Sequence, residues 1–431
     1  MHPVGVRAVT GIEGAWRRMS SSEVRAGAPG DGARMQRFMD EIFGVNQRSD
    51  QRRWARAYLW ALIHVSGKKT LRRIARASPL PTAAARGLHQ FINASPWDWV
   101  PVRRRLARLV AARTTPHAWT VAELVIPKRG EHSAGVHRRV DSATGRSVNC
   151  QRALGLFLTS GTHSYPVDWS LVLGGPWDSD RERRRRARIP GAEAGRTAAD
   201  HVVRYATEIA EQPQLPRLPW VLDLTRCDDV AGVLAGLARL RADVVCEVSP
   251  DQQVVTGRHT RVVTTVSALM EVRHGRQTHV LLRQTPDGPV RAVPVHTHAD
   301  TVGLPGPGGA DEAGSRPYRT LERPDPEGRH PARYWLTTLT DRRMEENLRL
   351  ARSHAAALSA VTTLGQRFGA LDFEGRSFPG WHHHMTMASA AYIYQRLSTA
   401  RGGQAVPPDP PRAPAGALAG ASNRREAEEQ G

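Results

Sequence analysis

One apolar stretch constrains the fold most, residues 119–130, which read WTVAELVIPKRG. β-Branched and apolar residues followed by Pro127 and Gly130 predict a buried strand that ends near the proline. Glu123 is an acidic residue in the middle of that strand. Because an unpaired buried carboxylate is costly, this position calls for a cation, a metal ion or a hydrogen-bond donor. A salt bridge to an arginine and a catalytic role both satisfy that requirement.

The charge balance indicates the kind of partner. The 431 residues include 61 lysines and arginines against 41 acidic residues, a formal net charge of +20. Such an excess favours a polyanion, since guanidinium groups bind phosphates through two parallel hydrogen bonds. A compositional bias towards arginine is the alternative explanation. The balance favours nucleic acid as the partner.

The cysteines and the hydropathy indicate the compartment. Cys150, Cys227 and Cys246 lie far apart and form no Cys-x-x-Cys pair, so we expect neither a disulfide framework nor a zinc site. The chain lacks an apolar run of about 18 residues, which predicts no membrane span. The first residues lack the apolar core of a signal peptide. These features predict a cytoplasmic, nucleoid-associated protein.

Composition also divides the chain. Residues 1–34 and 402–431 are rich in small and polar residues without periodicity, which predicts disordered ends. An internal stretch of similar composition, 301–333, predicts a long surface loop. Between the ends we expect a helical region over 35–115 and an α/β domain over 116–395.

The helical region carries a candidate DNA-binding motif. Two short helices flank a proline-rich break at 78–82, which resembles a helix-turn-helix. A plain helical bundle with a solvated basic face is the alternative. Ser95–Asp98 then predict the cap of a further helix. If the motif binds DNA, the basic residues beside it are the expected contacts: Lys68, Lys69, Arg72 and Arg73.

After residue 118 the period of the apolar residues changes from helix to strand. Three antiparallel strands come first, at 119–127, 153–159 and 166–173. Strands at 220–224 and 243–248 flank a helix, and a strand–helix–strand unit predicts a parallel pair. Alternating residues then predict a β-rich insertion over about 249–332, followed by a last strand and a closing helix. This order is typical of an α/β ribonuclease-H-like mixed sheet.

A dense arginine block interrupts the α/β region. Residues 181–188 contain six arginines in eight positions. Such blocks are usually solvated, and they also hold phosphate backbones. Under the second interpretation the DNA contacts are Arg183, Arg184, Arg185 and Arg186.

Strand cleavage by a ribonuclease-H-like fold needs acidic residues. Two divalent ions about 4 Å apart clamp the attacking and leaving oxygens, and carboxylates hold those ions. Asp223 follows an apolar strand at the place where such an acid belongs, so it is the candidate catalytic residue and ligand for Mg²⁺ or Mn²⁺. A turn or helix-capping aspartate is the alternative.

Several sequence blocks together resemble DDE-type insertion-sequence transposases, in the insertion sequence seven-oh-one branch, over about residues 38–395. The blocks include residues 49–54, 88–98, 127–136, 149–151, 166–169 and 374–384. The resemblance implies cleavage and transfer of double-stranded DNA at transposon ends, with Mg²⁺ or Mn²⁺ as cofactor, by a homodimer on DNA. Lys128, within the Pro-Lys-Arg-Gly block, is a further expected DNA contact.

The acids of the family match only in part. Where the family reads Asp-Asp-Thr on the first strand, this chain reads Ala122-Glu123-Leu124. The resemblance implies that Asp223 retains the second acid and that Ser359 stands in place of the catalytic Glu. In the same register Ala355 replaces an Arg and Gln366 replaces a Lys. Adjacent strand residues point to opposite faces, so Glu123 does not simply inherit the first position.

One carboxylate cannot hold two metal ions, so we expect a transposase-like DNA-binding protein with weak or absent cleavage. A non-catalytic DNA-binding regulator is one alternative. A metal-dependent nuclease with rearranged acids, Glu123, Asp223 and Glu374, is the other. The run His382–His384 is not expected to bind one ion, because consecutive helical side chains fan about 100° apart.

Overall fold

The computed structural model describes residues 31–44, 48–77, 84–140, 145, 147–257, 260–285, 288–305, 316–325 and 327–401. The proposed disorder of 1–30 and 402–431 and the proline-rich break at 78–82 lie outside these residues. Residues 31–34, which we assigned to the disordered segment, belong to the first helix.

Helices form the N-terminal region and close the chain. Their bounds are α1 Asp31–Phe43, α2 Ser49–His64, α3 Leu71–Ala77, α4 Ala84–Asn93, α5 Trp99–Arg113, α6 Pro176–Ser179, α7 Arg181–Ala187, α8 Ala198–Ala210, α9 Val230–Arg239, α10 Val266–Glu271, α11 Met344–Arg367 and α12 Phe378–Arg401. Among these helices, none combines the length and the apolarity that crossing a membrane requires.

The strands begin after α5. Their bounds are β1 Ala118–Pro127, β2 His137–Val140, β3 Ser147–Ser160, β4 His163–Val172, β5 Trp220–Asp223, β6 Val244–Val248, β7 Gln253–Thr256, β8 Val262–Thr265, β9 Arg276–Thr285, β10 Gly288–His298, β11 Arg319–Arg323 and β12 Arg333–Thr337. Ten of these strands form one mixed sheet, and β7 and β8 form a separate pair.

The strand order of the large sheet is β2-β3-β1-β5-β6-β12-β11-β10-β9, with β4 also paired to β3. β1, β3 and β4 are antiparallel neighbours, and β5 lies parallel to both β1 and β6. This arrangement confirms the predicted α/β class with a ribonuclease-H-like mixed sheet. Because β1, β5 and β6 are parallel, their carboxyl ends meet at one edge of the sheet.

Local sequence explains the ends of the elements near that sheet. Asp98 caps α5, as predicted, by accepting a hydrogen bond from the Val100 amide. Thr197 and Asp200 form a reciprocal capping box at the start of α8. Adjacent strand residues point to opposite faces, and at the start of β1 Trp119 packs in the larger hydrophobic core and Ala118 in the smaller one.

One prediction about the insertion is wrong. We expected a long surface loop over residues 301–333, but β11, at Arg319–Arg323, lies inside that range and pairs with both β10 and β12. The apolar Leu321 of β11 is fully buried, which explains why the segment joins the sheet. β9 to β11 therefore extend the main sheet. Residues 286–287, between β9 and β10, lie outside the described residues, and the two strands are antiparallel.

Helices cover both faces of the sheet. α11 packs against β1, β5 and β6, whereas α5 and α8 pack against β3 on the opposite face. The last helix, α12, packs against α2, α4, α5 and β4, so the N-terminal helices surround a helix from the other end of the chain. One continuous hydrophobic core joins the helical region to the sheet.

Candidate functional site

The carboxyl ends of β1, β5 and β6 bring together the position of the proposed first acid and two carboxylates. Trp119 pairs with Trp220 and Thr120 with Val221 in the parallel β1–β5 pair. Continued two residues along the strands, this register brings Ala122 level with Asp223. On the other side, Asp223 pairs directly with Glu247 of β6. Side chains in register across parallel strands share a face, so these three residues face α11.

Asp223 is exposed, and its own loop holds its carboxylate. The Oδ1 atom of Asp223 accepts hydrogen bonds from the backbone amide of Thr225 at 3.0 Å and from its hydroxyl at 2.6 Å. This is the turn-capping arrangement that the sequence left open as an alternative. Among the described residues, the Oδ2 atom of Asp223 accepts no hydrogen bond.

Glu247 is the acid that sequence reasoning missed. Its side chain is 12% exposed and receives two hydrogen bonds from Arg333, including one of 2.6 Å from Nε to Oε1. The signal was present in the sequence, because Glu247 interrupts the apolar strand Val244–Val248 just as Glu123 interrupts β1. Its partner, however, comes from β12, far along the chain.

Glu123 lies on the opposite face of β1 from Ala122. Its carboxylate is 2.5 Å from Nε of Arg152 and 3.5 Å from Arg139. The arginine pairing that the sequence left open is therefore present. Because of the strand alternation, Glu123 and Asp223 point to different sides of the sheet and do not converge on one ion.

The chain belongs to the DDE superfamily endonuclease family. The sequence model of that family, described as DDE superfamily endonuclease, matches residues 37–300, which is more than half of the chain. No curated protein matches it. The match supports a transposase-like nuclease, includes the strands that carry Ala122 and Asp223, and ends before β11.

A DDE endonuclease implies divalent metal ions, so the donor set at this edge can be compared with what such ions require. Hard cations need several carboxylate oxygens. Here a methyl group stands at Ala122, Thr225 engages Asp223, and Arg333 engages Glu247. Within the described residues, no group of three or more His, Cys, Asp or Glu side chains has the arrangement of a metal site. The residues present do not fit a two-metal centre.

The late helix supplies no carboxylate at the position that the resemblance assigns. Ser359 lies exposed on α11. Five residues earlier on the same helix, His354 is close enough to Asp223 and Glu247 for their charges to act on its pKa. Glu374 lies beyond α11, exposed in the connection to α12, where its charged neighbour is Lys128.

Lys128 connects the end of β1 to the segment between α11 and α12. Its Nζ donates a hydrogen bond of 2.5 Å to the carbonyl oxygen of Phe373. Burial lowers the pKa of Lys128 to about 8, against the opposing effect of Asp372 and Glu374. Its ammonium group is thus engaged within the protein.

Of the other proposed DNA contacts, some are engaged within the protein and the rest are exposed. Lys69 is 4% exposed, and its backbone amide donates to Asp372 at 2.8 Å. The guanidinium of Arg183 lies 4.7 Å from the ring centre of Trp177, and that of Arg184 donates to the carbonyl oxygens of Trp177 and Asp178. The remaining residues are exposed: Lys68, Arg72, Arg73, Arg185 and Arg186.

Arg185 and Arg186 share one counter-ion. Both donate to Glu182 on α7, at 2.8 and 2.9 Å, while 77% and 78% of their side chains remain exposed. The hydrogen bonds from Arg185 and Arg186 lower the pKa of Glu182 to about 2. The block still carries a positive surface, because two exposed arginines share one acid.

The histidine run belongs to the fold. Nδ1 of His382 accepts from Arg103, both ring nitrogens of His383 lie 2.8 Å from backbone carbonyl oxygens, and His384 bonds Tyr58 and Gly369. The three rings thus point in three directions, as the helical geometry predicted.

Arg103 of α5 connects this run to the sheet. Its guanidinium donates to Asp168 at 2.6 Å, to the carbonyl oxygen of Trp169 at 2.7 Å and to the hydroxyl of Thr386 at 2.7 Å. We call Arg103, Asp168, Trp169, His382 and Thr386 the Arg103 junction. Its members come from α5, β4 and α12 and are buried, except for the partly exposed Asp168.

Proposed function

We propose that this protein is a transposase-like DNA-binding member of the DDE endonuclease family whose strand cleavage and strand transfer are lost or weak. The observation that carries the proposal is the β1–β5 register, which, continued by two residues, brings Ala122 level with Asp223 at the edge where the family cleaves DNA. On the other side of Asp223 in the parallel register stands Glu247, and Arg333 engages it.

Double-stranded DNA is the proposed ligand. The net charge of +20 supports a polyanionic partner, and the exposed arginines of α7 provide phosphate contacts on the surface. A homodimer on two DNA ends, as the family resemblance implies, is part of the proposal.

Cleavage and binding are tested separately. We expect supercoiled plasmid DNA carrying the element's own terminal repeats to remain unnicked with Mg²⁺ or Mn²⁺. Robust nicking that Asp223→Ala abolishes would refute the loss of cleavage. DNA binding is measured by fluorescence anisotropy over a salt series, in which many phosphate contacts produce a steep fall in affinity.

The arginine block provides a matched pair of variants. Replacing Arg185 and Arg186 together by Ala is expected to reduce the slope of log affinity against log salt by about 2. Glu182→Gln removes their shared acid, so we expect it to raise the affinity. Equal affinity in both variants would exclude this block from the DNA-binding surface.

A non-catalytic DNA-binding regulator is the second candidate, supported by the same Ala122 and Arg333 positions. It requires one DNA sequence to bind far more tightly than random DNA at the same salt concentration. Competition between terminal-repeat DNA and random DNA therefore distinguishes a regulator from a protein that binds DNA nonspecifically.

A further inference from the structure

A cation from the chain itself lies at the edge where Asp223 and Glu247 are neighbours. Nε of Arg333 donates to Oε1 of Glu247 at 2.6 Å, and a terminal nitrogen donates to Oε2. The pair is therefore bidentate, the geometry in which an arginine binds a carboxylate most specifically. Asp223 stands next to Glu247 in the parallel register, and its charge also acts on the guanidinium of Arg333.

Strand register fixes the position of this arginine. β12 pairs with β6 so that Trp335 lies opposite Glu247. Arg333 is two residues earlier and therefore faces the same side of the sheet. Its guanidinium also lies 5.1 Å from the ring centre of Trp335, which holds the side chain over the sheet. The arginine is thus placed by the sheet and by an aromatic ring together.

Arg333 reduces the negative charge that this edge would otherwise present to a divalent ion. The hydrogen bonds to Glu247 raise the pKa of Arg333, and the charges of Glu247 and Asp223 act in the same direction. Two carboxylates and one guanidinium leave a net charge of −1, half of what the two carboxylates alone would present, and both oxygens of Glu247 already accept hydrogen bonds from Arg333.

We propose that Arg333 occupies the electrostatic position of the divalent cation at this edge, neutralising Glu247, offsetting part of the charge beside Asp223 and keeping metal ions out. The inference deepens the proposed loss of cleavage and rests on it in one respect, namely that this edge is the former metal edge of a DDE endonuclease. The chemical class of ligand that the edge would accept without Arg333 is a hard divalent cation, held by Asp223 and Glu247.

The test is a thermal-shift experiment on the full chain with EDTA or with millimolar MnCl₂. The Tm of the unaltered protein is expected not to respond to Mn²⁺. Arg333→Gln is expected to lower the Tm in EDTA by about 2–4 °C and to recover most of that loss with Mn²⁺. The double variant Arg333→Gln with Glu247→Gln is expected to lose the Mn²⁺ response.

Two matched variants serve as controls. Arg323→Gln removes another arginine over the same Trp335 ring, at 5.7 Å, and is expected to produce no Mn²⁺ response. Arg333→Lys keeps a cation at the site and is likewise expected to produce none. If Arg333→Gln fails to fold in EDTA, folding that Mn²⁺ restores supports the proposal, and failure in both conditions overturns it.

Other outcomes contradict the proposal. A saturable rise in Tm of the unaltered protein with Mn²⁺ would show that the edge takes a cation despite Arg333. An Arg333→Gln variant that loses DNA affinity without gaining a Mn²⁺ response would assign the arginine to phosphate binding instead. Nicking by the unaltered protein overturns the proposed function, whereas the thermal shifts alone decide the role of Arg333, so the two failures are distinguishable.

Discussion

The Arg103 junction and the β5–β6 edge both contain arginine–carboxylate pairs, and they differ in what surrounds them. At the junction, Arg103 is 3% exposed and bonds side chains and carbonyl oxygens from two other elements, β4 and α12. At the edge, Asp223 is exposed and the side chain of Arg333 is 45% exposed. The motif residues Trp169 and His382 lie at the junction. The sequence blocks that carry the family resemblance therefore include residues of the Arg103 junction. At the β5–β6 edge, by contrast, Ala122 stands where the family has an acid.

The largest expected effect concerns the junction. Arg103→Ala leaves Asp168 without its cation and several buried acceptors without a donor, so we expect a loss of about 3–5 kcal/mol in the free energy of unfolding. Arg108→Ala, on the exposed side of the same helix, is the control and should change it by less than about 0.5 kcal/mol. Urea unfolding measures both. Equal effects would show that the junction does not hold the two regions together.

The next effect is a gain in stability near the junction. His201 is 1% exposed, and neither of its ring nitrogens has a hydrogen-bond partner among the described residues. Burial lowers the pKa of His201 to about 4. The folded protein therefore protonates His201 less readily than the unfolded chain does. The free energy of unfolding consequently falls as the pH drops from about 6.5 towards 4.

His201→Leu removes that dependence. Relative to the unaltered protein, we expect the variant to gain about 2 kcal/mol at pH 5 and less at pH 7.5. His89→Leu, at an exposed position, is the control. Urea midpoints measured across this pH range give the comparison. A gain that is independent of pH would mean that packing, and not the titration of His201, is responsible.

The smallest expected effect concerns Glu123. Its side chain and that of Arg152 are 32% and 28% exposed, so solvent screens their salt bridge. A double-mutant cycle with Glu123→Gln and Arg152→Gln is expected to give a coupling energy of about 0.5–1 kcal/mol. A much larger coupling would mean that this pair resembles the buried junction more than the exposed edge.

The sequence predicted those parts of the fold that depend on residues close together along the chain. The apolar stretch of β1, the capping residue Asp98 and the strand–helix–strand unit ending at β6 all follow from residues close in sequence. The β11 segment was missed because its glycine- and proline-rich surroundings dominate the composition, whereas only tertiary pairing with β10 and β12 makes it a strand.

At the site, Asp223 was a candidate because it follows a short apolar strand, and the substitution at Ala122 was inferred from the family resemblance. Both assignments stay predictions. Sequence reasoning did not find the Glu247–Arg333 pair, since the two residues are 86 positions apart and meet only through the β6–β12 register. Lys69 and Arg184 stay predicted DNA contacts, but Lys69 is buried and Arg184 bonds within the protein, which charge alone does not reveal.

The most direct test of the central claim is nicking of plasmid DNA that carries the terminal repeats, with Mn²⁺ present and Asp223→Ala as the control. We expect the unaltered protein and Asp223→Ala to leave the plasmid equally intact. The unaltered protein should nevertheless bind it. Nicking by the unaltered protein that disappears in Asp223→Ala would contradict the account, because it would mean that this edge assembles a working metal site without an acid at position 122.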